Sequence, residues 1–219
     1  MQALGATAVE LAVEVTDNGT TWDRWRFQDI WMEAGWQPIP LFEASLQRTL
    51  RGELIDHAHV VLAEVVAHAT PLRTTGKLHT WQAMLADYPD ILRQRLMDST
   101  VERWSSPYTA VTRWSPVRRD QPLTVAEELV GEVHGVLRLL FALNREWEPD
   151  WKWIAALRAR LEHTPDHLTE RIAACFGQAP ARERMAICTR LILDTLALLP
   201  PTADIEQARA NLQCGLDAD

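Results

Sequence analysis

Apolar and polar residues alternate most regularly between Thr124 and Leu161. At about 100° per residue, Val125, Leu129, Val133, Val136, Leu137, Leu140, Leu143 and Trp147 fall within a third of a helical circumference, which predicts a helix with one face in a core. Glu127, His134, Arg138 and Arg145 form the opposite row. Gly131 shares that row, so a ligand or another backbone can approach the helix there. Thr124 with Glu127 matches a capping box at the start of this helix. Pro149 breaks it within Asn-Arg-Glu-Trp-Glu-Pro-Asp-Trp-Lys-Trp, where three tryptophans crowd around Lys152.

Period two occurs once with strength. In Ala8–Thr16, Val9, Leu11, Val13 and Val15 share one face and Glu10 and Glu14 the other, which predicts a strand closed by Asp17-Asn18-Gly19. Trp22 to Trp36 mixes indoles and charges at roughly helical spacing. Partners for the strand are few, with Gln37–Leu41 and Thr109–Trp114 as weak candidates, so the sheet is expected to be small or completed by another chain. Helical patterns follow at Leu54–His68, Trp81–Leu85 and Ile91–Trp104, then a long loop over Ser105–Pro122. Further helices are expected over Asp150–His163, after Thr164-Pro165, over Ala181–Leu199 and over Ile205–Leu212. The fold class is α+β, mainly α: a small β-containing lobe over residues 1–80, then a helical bundle over 81–219.

Composition narrows the partners. A net charge of -8 and a pI near 5.4 argue against a nucleic-acid footprint and favour a small molecule or a protein as the partner, a small-molecule substrate being the expectation here. The three cysteines are odd in number and widely spaced, as expected of reduced thiols in a cytoplasm. No run of about 18 apolar residues predicts a membrane span, and the N-terminus carries no leader pattern. Asp56, His57 and His59 lie too close in sequence to share one helix face, so no metal site is expected there. So short a sheet leaves its edges open, which predicts a homodimer or a covered edge. Ten tryptophans against four Phe and two Tyr supply large apolar faces that attract cations.

Three segments carry a family likeness: Pro71-Leu-x-x-x-Gly-x-Leu, then Tyr88-Pro89-x-x-Leu92, then Leu140-Phe-Ala-Leu-Asn-Arg-x-Trp-x-Pro-x-Trp-Lys-Trp-Ile. In this order they resemble the C-terminal part of bacterial small-molecule nucleotidyltransferase-like proteins, relatives of aminoglycoside adenylyltransferases. The likeness spans roughly residues 8 to 165. It implies a small catalytic lobe and a helical bundle lining one cleft, with Glu10 or Glu14 in the place of the family's third carboxylate strand. The family's Gly-Ser turn and its Asp-x-Asp after an early strand are missing here, and two-metal phosphoryl transfer needs several clustered carboxylates.

Three functions therefore stand side by side. The first is a small-molecule enzyme in a repurposed nucleotidyltransferase-like cleft, using acid-base or cation-stabilising chemistry on a natural-product-like substrate and no cofactor. In that reading Glu14, Glu10 and His134 are the catalytic candidates, and Arg138, Arg145, Trp151, Lys152 and Trp153 the substrate-binding ones. The second is surviving nucleotidyl transfer, which alone would call for Mg²⁺ and a nucleoside triphosphate. The third is a non-catalytic binding or regulatory protein, with Trp22, Trp25, Trp31 and Trp36 as interface anchors.

Overall fold

A computed structural model describes residues 8–15, 20–72, 76–154 and 158–217. They form two compact units, within residues 1–50 and 51–219. The boundary expected near residue 80 thus falls inside a helix of the second unit. The chain is α+β and mainly helical, and every strand among the described residues lies before residue 37.

In the first unit, β1 (Ala8–Val15), β2 (Thr21–Phe27) and β3 (Ile30–Trp36) make an antiparallel meander in chain order. The helix expected over Trp22–Trp36 is a hairpin instead. Gln28 and Asp29 take positive φ of 45° and 65°, the backbone of a two-residue turn whose twist suits a hairpin. Trp22, Trp25, Trp31 and Trp36, which mimic a helical repeat, divide between the two sheet faces. Trp25 faces Met32 across the strands and Arg24 faces Glu33. Trp36 Nε1 donates to Asp23 Oδ2 at 2.7 Å. The expected edge at Gln37–Leu41 is the start of α1 (Ile39–Leu50), which buries Phe42, Leu46 and Thr49.

The second unit holds α2 (His57–His68), α3 (Lys77–Leu85), α4 (Asp90–Ser105), the single turns α5 (Thr109–Thr112) and α6 (Ser115–Arg118), and α7 (Pro122–Leu143). After these come α8 (Leu168–Cys175), α9 (Ala181–Ala197) and α10 (Ala203–Asp217). The loop expected over 105–122 is therefore two short helical turns, and 109–112 is not a strand. The core gathers Leu92, Leu96 and Trp104 of α4 with Leu129, Leu140 and Phe141 of α7. Leu191, Ile192 and Leu196 of α9 and Leu212 of α10 complete it.

The central helix departs from its expected start. Pro122 stands in the first turn, and Gln121 caps without a side-chain hydrogen bond. Proline suits that place because its fixed φ is helical and its missing N–H would be unpaired anyway. The apolar stripe is buried from Val125 to Leu140, and Leu139, Phe141 and Ala142 are buried as well, so the last turns of α7 are enclosed on most sides. The glycine row is covered by protein. A Cβ on Gly135 would come within 3.1 Å of the Trp104 ring, and one on Gly131 within 2.9 Å of the Arg103 guanidinium. Small residues there let α4 and α7 approach closely.

Of the helix expected over Asp150–His163, the described residues include two 3₁₀ turns, Trp151–Trp153 and Arg158–Arg160, while residues 155–157 lie outside those described. The Asp150 side chain accepts from Lys152 N at 3.1 Å, which closes a single turn. Asn144 ties the far end back, since its Nδ2 donates to His163 O at 2.9 Å and its Oδ1 accepts from His163 N at 2.7 Å. Thr164-Pro165 does not open α8, which starts at Leu168 after His167 at φ 55°.

Candidate functional site

The end of α7 sets the geometry. Arg145 takes φ 57°, Glu146 N donates to Phe141 O at 3.0 Å and Arg145 N to Ala142 O at 3.2 Å. This is the paired closure of a Schellman motif, with arginine where glycine is usual. The chain then reverses. Trp147 Nε1 donates to Leu85 O at 3.1 Å, its ring lies 4.7 Å from that of Tyr88, and Glu148 is carried back beside α7.

Glu148 is 1% exposed. Its Oε1 lies 3.1 Å from His57 Nδ1, and its Oε2 accepts from Arg138 Nε at 3.2 Å. A buried carboxylate held by two such partners has both oxygens satisfied. His57 is the first residue of α2, whose N-cap is Asp56. Fixing Nδ1 on a carboxylate leaves Nε2 as the free ring nitrogen, and the His57 side chain keeps 30% of its surface.

Trp151 lies in the same place. Its ring is 4.0 Å from the His57 ring with an interplanar angle of 6°, and 3.8 Å from the His134 ring at 1°. Two imidazoles parallel to one indole at such distances would overlap if they shared a face, so the indole is sandwiched between them. The pKa of His134 is lowered, first by burial, then by the charge of His57 when protonated and by Arg138, against the opposing pull of Glu148. His134 is therefore neutral at pH 7. Burial, reinforced by the Glu148 charge, raises the Tyr88 phenol well above its ordinary value.

Of the residues singled out in the sequence, His134, Arg138 and Trp151 meet in this cluster. Arg145 points elsewhere, its Nη2 2.5 Å from Asp90 Oδ1 at the start of α4. Lys152 and Trp153 are exposed on the 3₁₀ turn, Lys152 Nζ standing 3.6 Å from Asp150. Glu10 is exposed on β1 of the first unit, and the side chain of Glu14 lies outside the described residues. Sequence reasoning named neither His57, weighed only as a metal ligand, nor Glu148 among the site residues. Their signals were present but local: an Asp-His pair at a helix start, and a glutamate next to Pro149 in the segment after α7.

A second buried network stands apart from this cluster. Arg113 Nε donates to Glu132 Oε1 at 3.0 Å, both side chains 3% exposed, while Trp104 Nε1 donates to Glu132 Oε2 and Arg113 Nη1 to Thr189 Oγ1. It joins α4, α7 and α9 and offers no exposed ring nitrogen or carboxylate. A cavity of about 520 Å³ opens between α4 and the start of α10, lined by Arg93, Met97, Asp98, Glu102, Leu199 and Ile205 among others. None of the stacked residues lines it. Among the described residues no cluster of three His, Cys, Asp or Glu suits a metal ion, and no helix is long and apolar enough to cross a membrane.

A model of the family named Domain of unknown function (DUF4037) matches residues 56–154. The matched segment runs from the N-cap of α2 through the Trp151–Trp153 turn, so it contains His57, His134, Arg138, Glu148 and Trp151. No curated protein and no solved structure matches the chain.

Proposed function

We propose that the second unit is a small-molecule enzyme in which His57 performs general acid-base chemistry. Glu148 orients His57 through Nδ1, and Arg138 holds Glu148 in register. The observation that carries this reading is the contact between His57 Nδ1 and a carboxylate that is 1% exposed and anchored on its other oxygen by Arg138. When Nδ1–H donates to Glu148, Nε2 presents a lone pair. It can take a proton from a substrate hydroxyl or amine, and the buried carboxylate stabilises the imidazolium that forms until the proton is returned. His134, held neutral, faces the substrate as an uncharged hydrogen-bonding ring rather than a second cation.

The reading is tested by ¹⁵N NMR of the imidazoles together with a ligand panel followed by thermal shift. His57 is expected as the Nδ1–H tautomer in the wild type and as a tautomer mixture in Glu148→Gln. A small molecule that raises the melting temperature of the wild type should lose that effect in His57→Gln. The panel includes ATP, CTP and GTP with Mg²⁺. An Nε2–H tautomer in the wild type, or ligand shifts unchanged in His57→Gln, would overturn the assignment.

A further inference from the structure

The three parallel rings have a use beyond proton transfer. Of the three indoles buried in this unit, Trp104, Trp114 and Trp147, two donate their N–H to the protein: Trp104 to Glu132 and Trp147 to Leu85 O. The Trp151 N–H makes no hydrogen bond to any described residue, so its ring is held by its faces. The turn that carries it is a single 3₁₀ turn with none of its residues buried, following directly on Pro149. The walls, by contrast, are fixed. His134 projects from the long helix α7, and His57 is anchored by Glu148. A rigid pair of imidazoles set one ring's thickness apart on each side, around a ring tied only by stacking, is a receptor for a flat ring that its own chain fills.

We propose that the slot between His57 and His134 binds a planar bicyclic heteroaromatic ligand, and that Trp151 occupies the slot in the free protein and yields it on binding. The size follows from the occupant, since an indole fits. Flatness follows from the interplanar angles of 6° and 1°, because a puckered ring cannot lie against both imidazoles at stacking distance. Histidine, like other aromatic side chains, accepts flat nitrogen heterocycles on its face. With Nδ1 of His57 taken by Glu148, Nε2 is the ring nitrogen left to hydrogen-bond a ring substituent. This inference rests on the acid-base reading for the role of the bound ring, but its own claim is a binding one. Displacement weakens apparent affinity by the fraction of molecules in which the slot is open, so removing the plug tightens binding.

The experiment titrates the wild type and Trp151→Gly with quinoline, indole and adenosine, using decahydroquinoline as the non-planar control. Binding is read from the His57 and His134 Cε1–H proton signals, which the indole ring current shifts upfield. Trp151→Gly should move both signals downfield, and each planar bicycle should return them upfield. Binding to Trp151→Gly should be at least tenfold tighter than to the wild type. In the wild type the planar bicycles should bind at millimolar concentration or better, and adenosine should change the tryptophan fluorescence, a change that Trp151→Gly should abolish. The proposal is overturned if the wild type binds none of the three, or if decahydroquinoline binds Trp151→Gly as tightly as quinoline. Glu148→Gln separates the two readings, because it removes the carboxylate and keeps all three rings. Planar ligands binding there, alongside an Nε2–H tautomer in the wild type, would support the slot and defeat the acid-base role alone.

Discussion

Replacing Glu148 by glutamine keeps the side chain's volume and removes its charge. It also turns one of two acceptor oxygens into a donor that faces a donor, either His57 Nδ1–H or Arg138 Nε–H. A hydrogen bond to a charged group contributes about 1.5–3 kcal/mol, and breaking a buried pair from one side costs about 3–5 kcal/mol. Both partners reach water, with side-chain exposures of 30% for His57 and 21% for Arg138. Each therefore regains solvation, and the expected loss falls to about 2–3 kcal/mol. In a folding unit of this size each kcal/mol moves the midpoint by about 2–4 °C, so the melting temperature should drop by roughly 4–12 °C. Urea unfolding followed by tryptophan fluorescence measures the free energy, and a cycle with His57→Gln isolates the contact. The coupling should exceed about 0.5 kcal/mol, as for residues that touch. A Glu148→Gln protein within about 0.5 kcal/mol of the wild type, with additive single changes, would refute the claim that His57 and Glu148 act as one unit.

The lowered pKa of His134 means that the unfolded chain takes up a proton first, so stability should fall as pH drops through about 6.5 toward the folded-state value. His134→Gln should flatten that part of the pH profile in urea unfolding; an unchanged profile would count against a neutral His134. Gly215→Ala should destabilise by about 1–3 kcal/mol despite alanine's better helix propensity, because the new Cβ lands on the Trp114 indole. Adding Trp114→Leu should recover much of that loss in the same assay. Arg113→Met should cost about 3–5 kcal/mol by leaving Glu132 buried and short of a partner, and Arg113→Met with Glu132→Gln should cost less than the single change. A double variant as unstable as the sum of its parts would contradict that reasoning.

What was legible in the sequence is what depends on period alone. The stripe from Val125 to Leu140 is buried as its spacing requires, and α2, α4 and α9 lie close to their patterned ranges. The hairpin was not legible because two independent repeats coincided: indoles at 22, 25, 31 and 36 approximate a helical face, while the deciding signal was the Gln28-Asp29 turn, a pair less distinctive than Asn-Gly. The start of α7 was misplaced because a plausible capping box lay two residues beyond a proline that starts helices equally well. The segment after Pro149 resembled a helix in composition, but it opens on the 3₁₀ turn Trp151–Trp153, and the Asn144–His163 clamp, a contact across 19 residues, ties its far end back to the end of α7.

The candidate site shows the same division more sharply. His134 and Arg138 lie one helical turn apart, so the period that buried α7 also placed them together, and both could be named from the sequence. Their partners come from segments that no period connects. His57 is 91 residues from Glu148, and Glu148 reaches α7 only because Arg145 adopts a left-handed conformation that arginine rarely takes and that its own sequence does not announce. Trp151 was legible as an unusual residue and a substrate-binding candidate, but its place between two imidazoles was not. Its position depends on the reversal at Arg145 and on the stop at Pro149 acting together. The geometry of this cluster is thus written in the residues that follow a helix end, where pattern reading is weakest, and the helices supply the walls against which those residues pack.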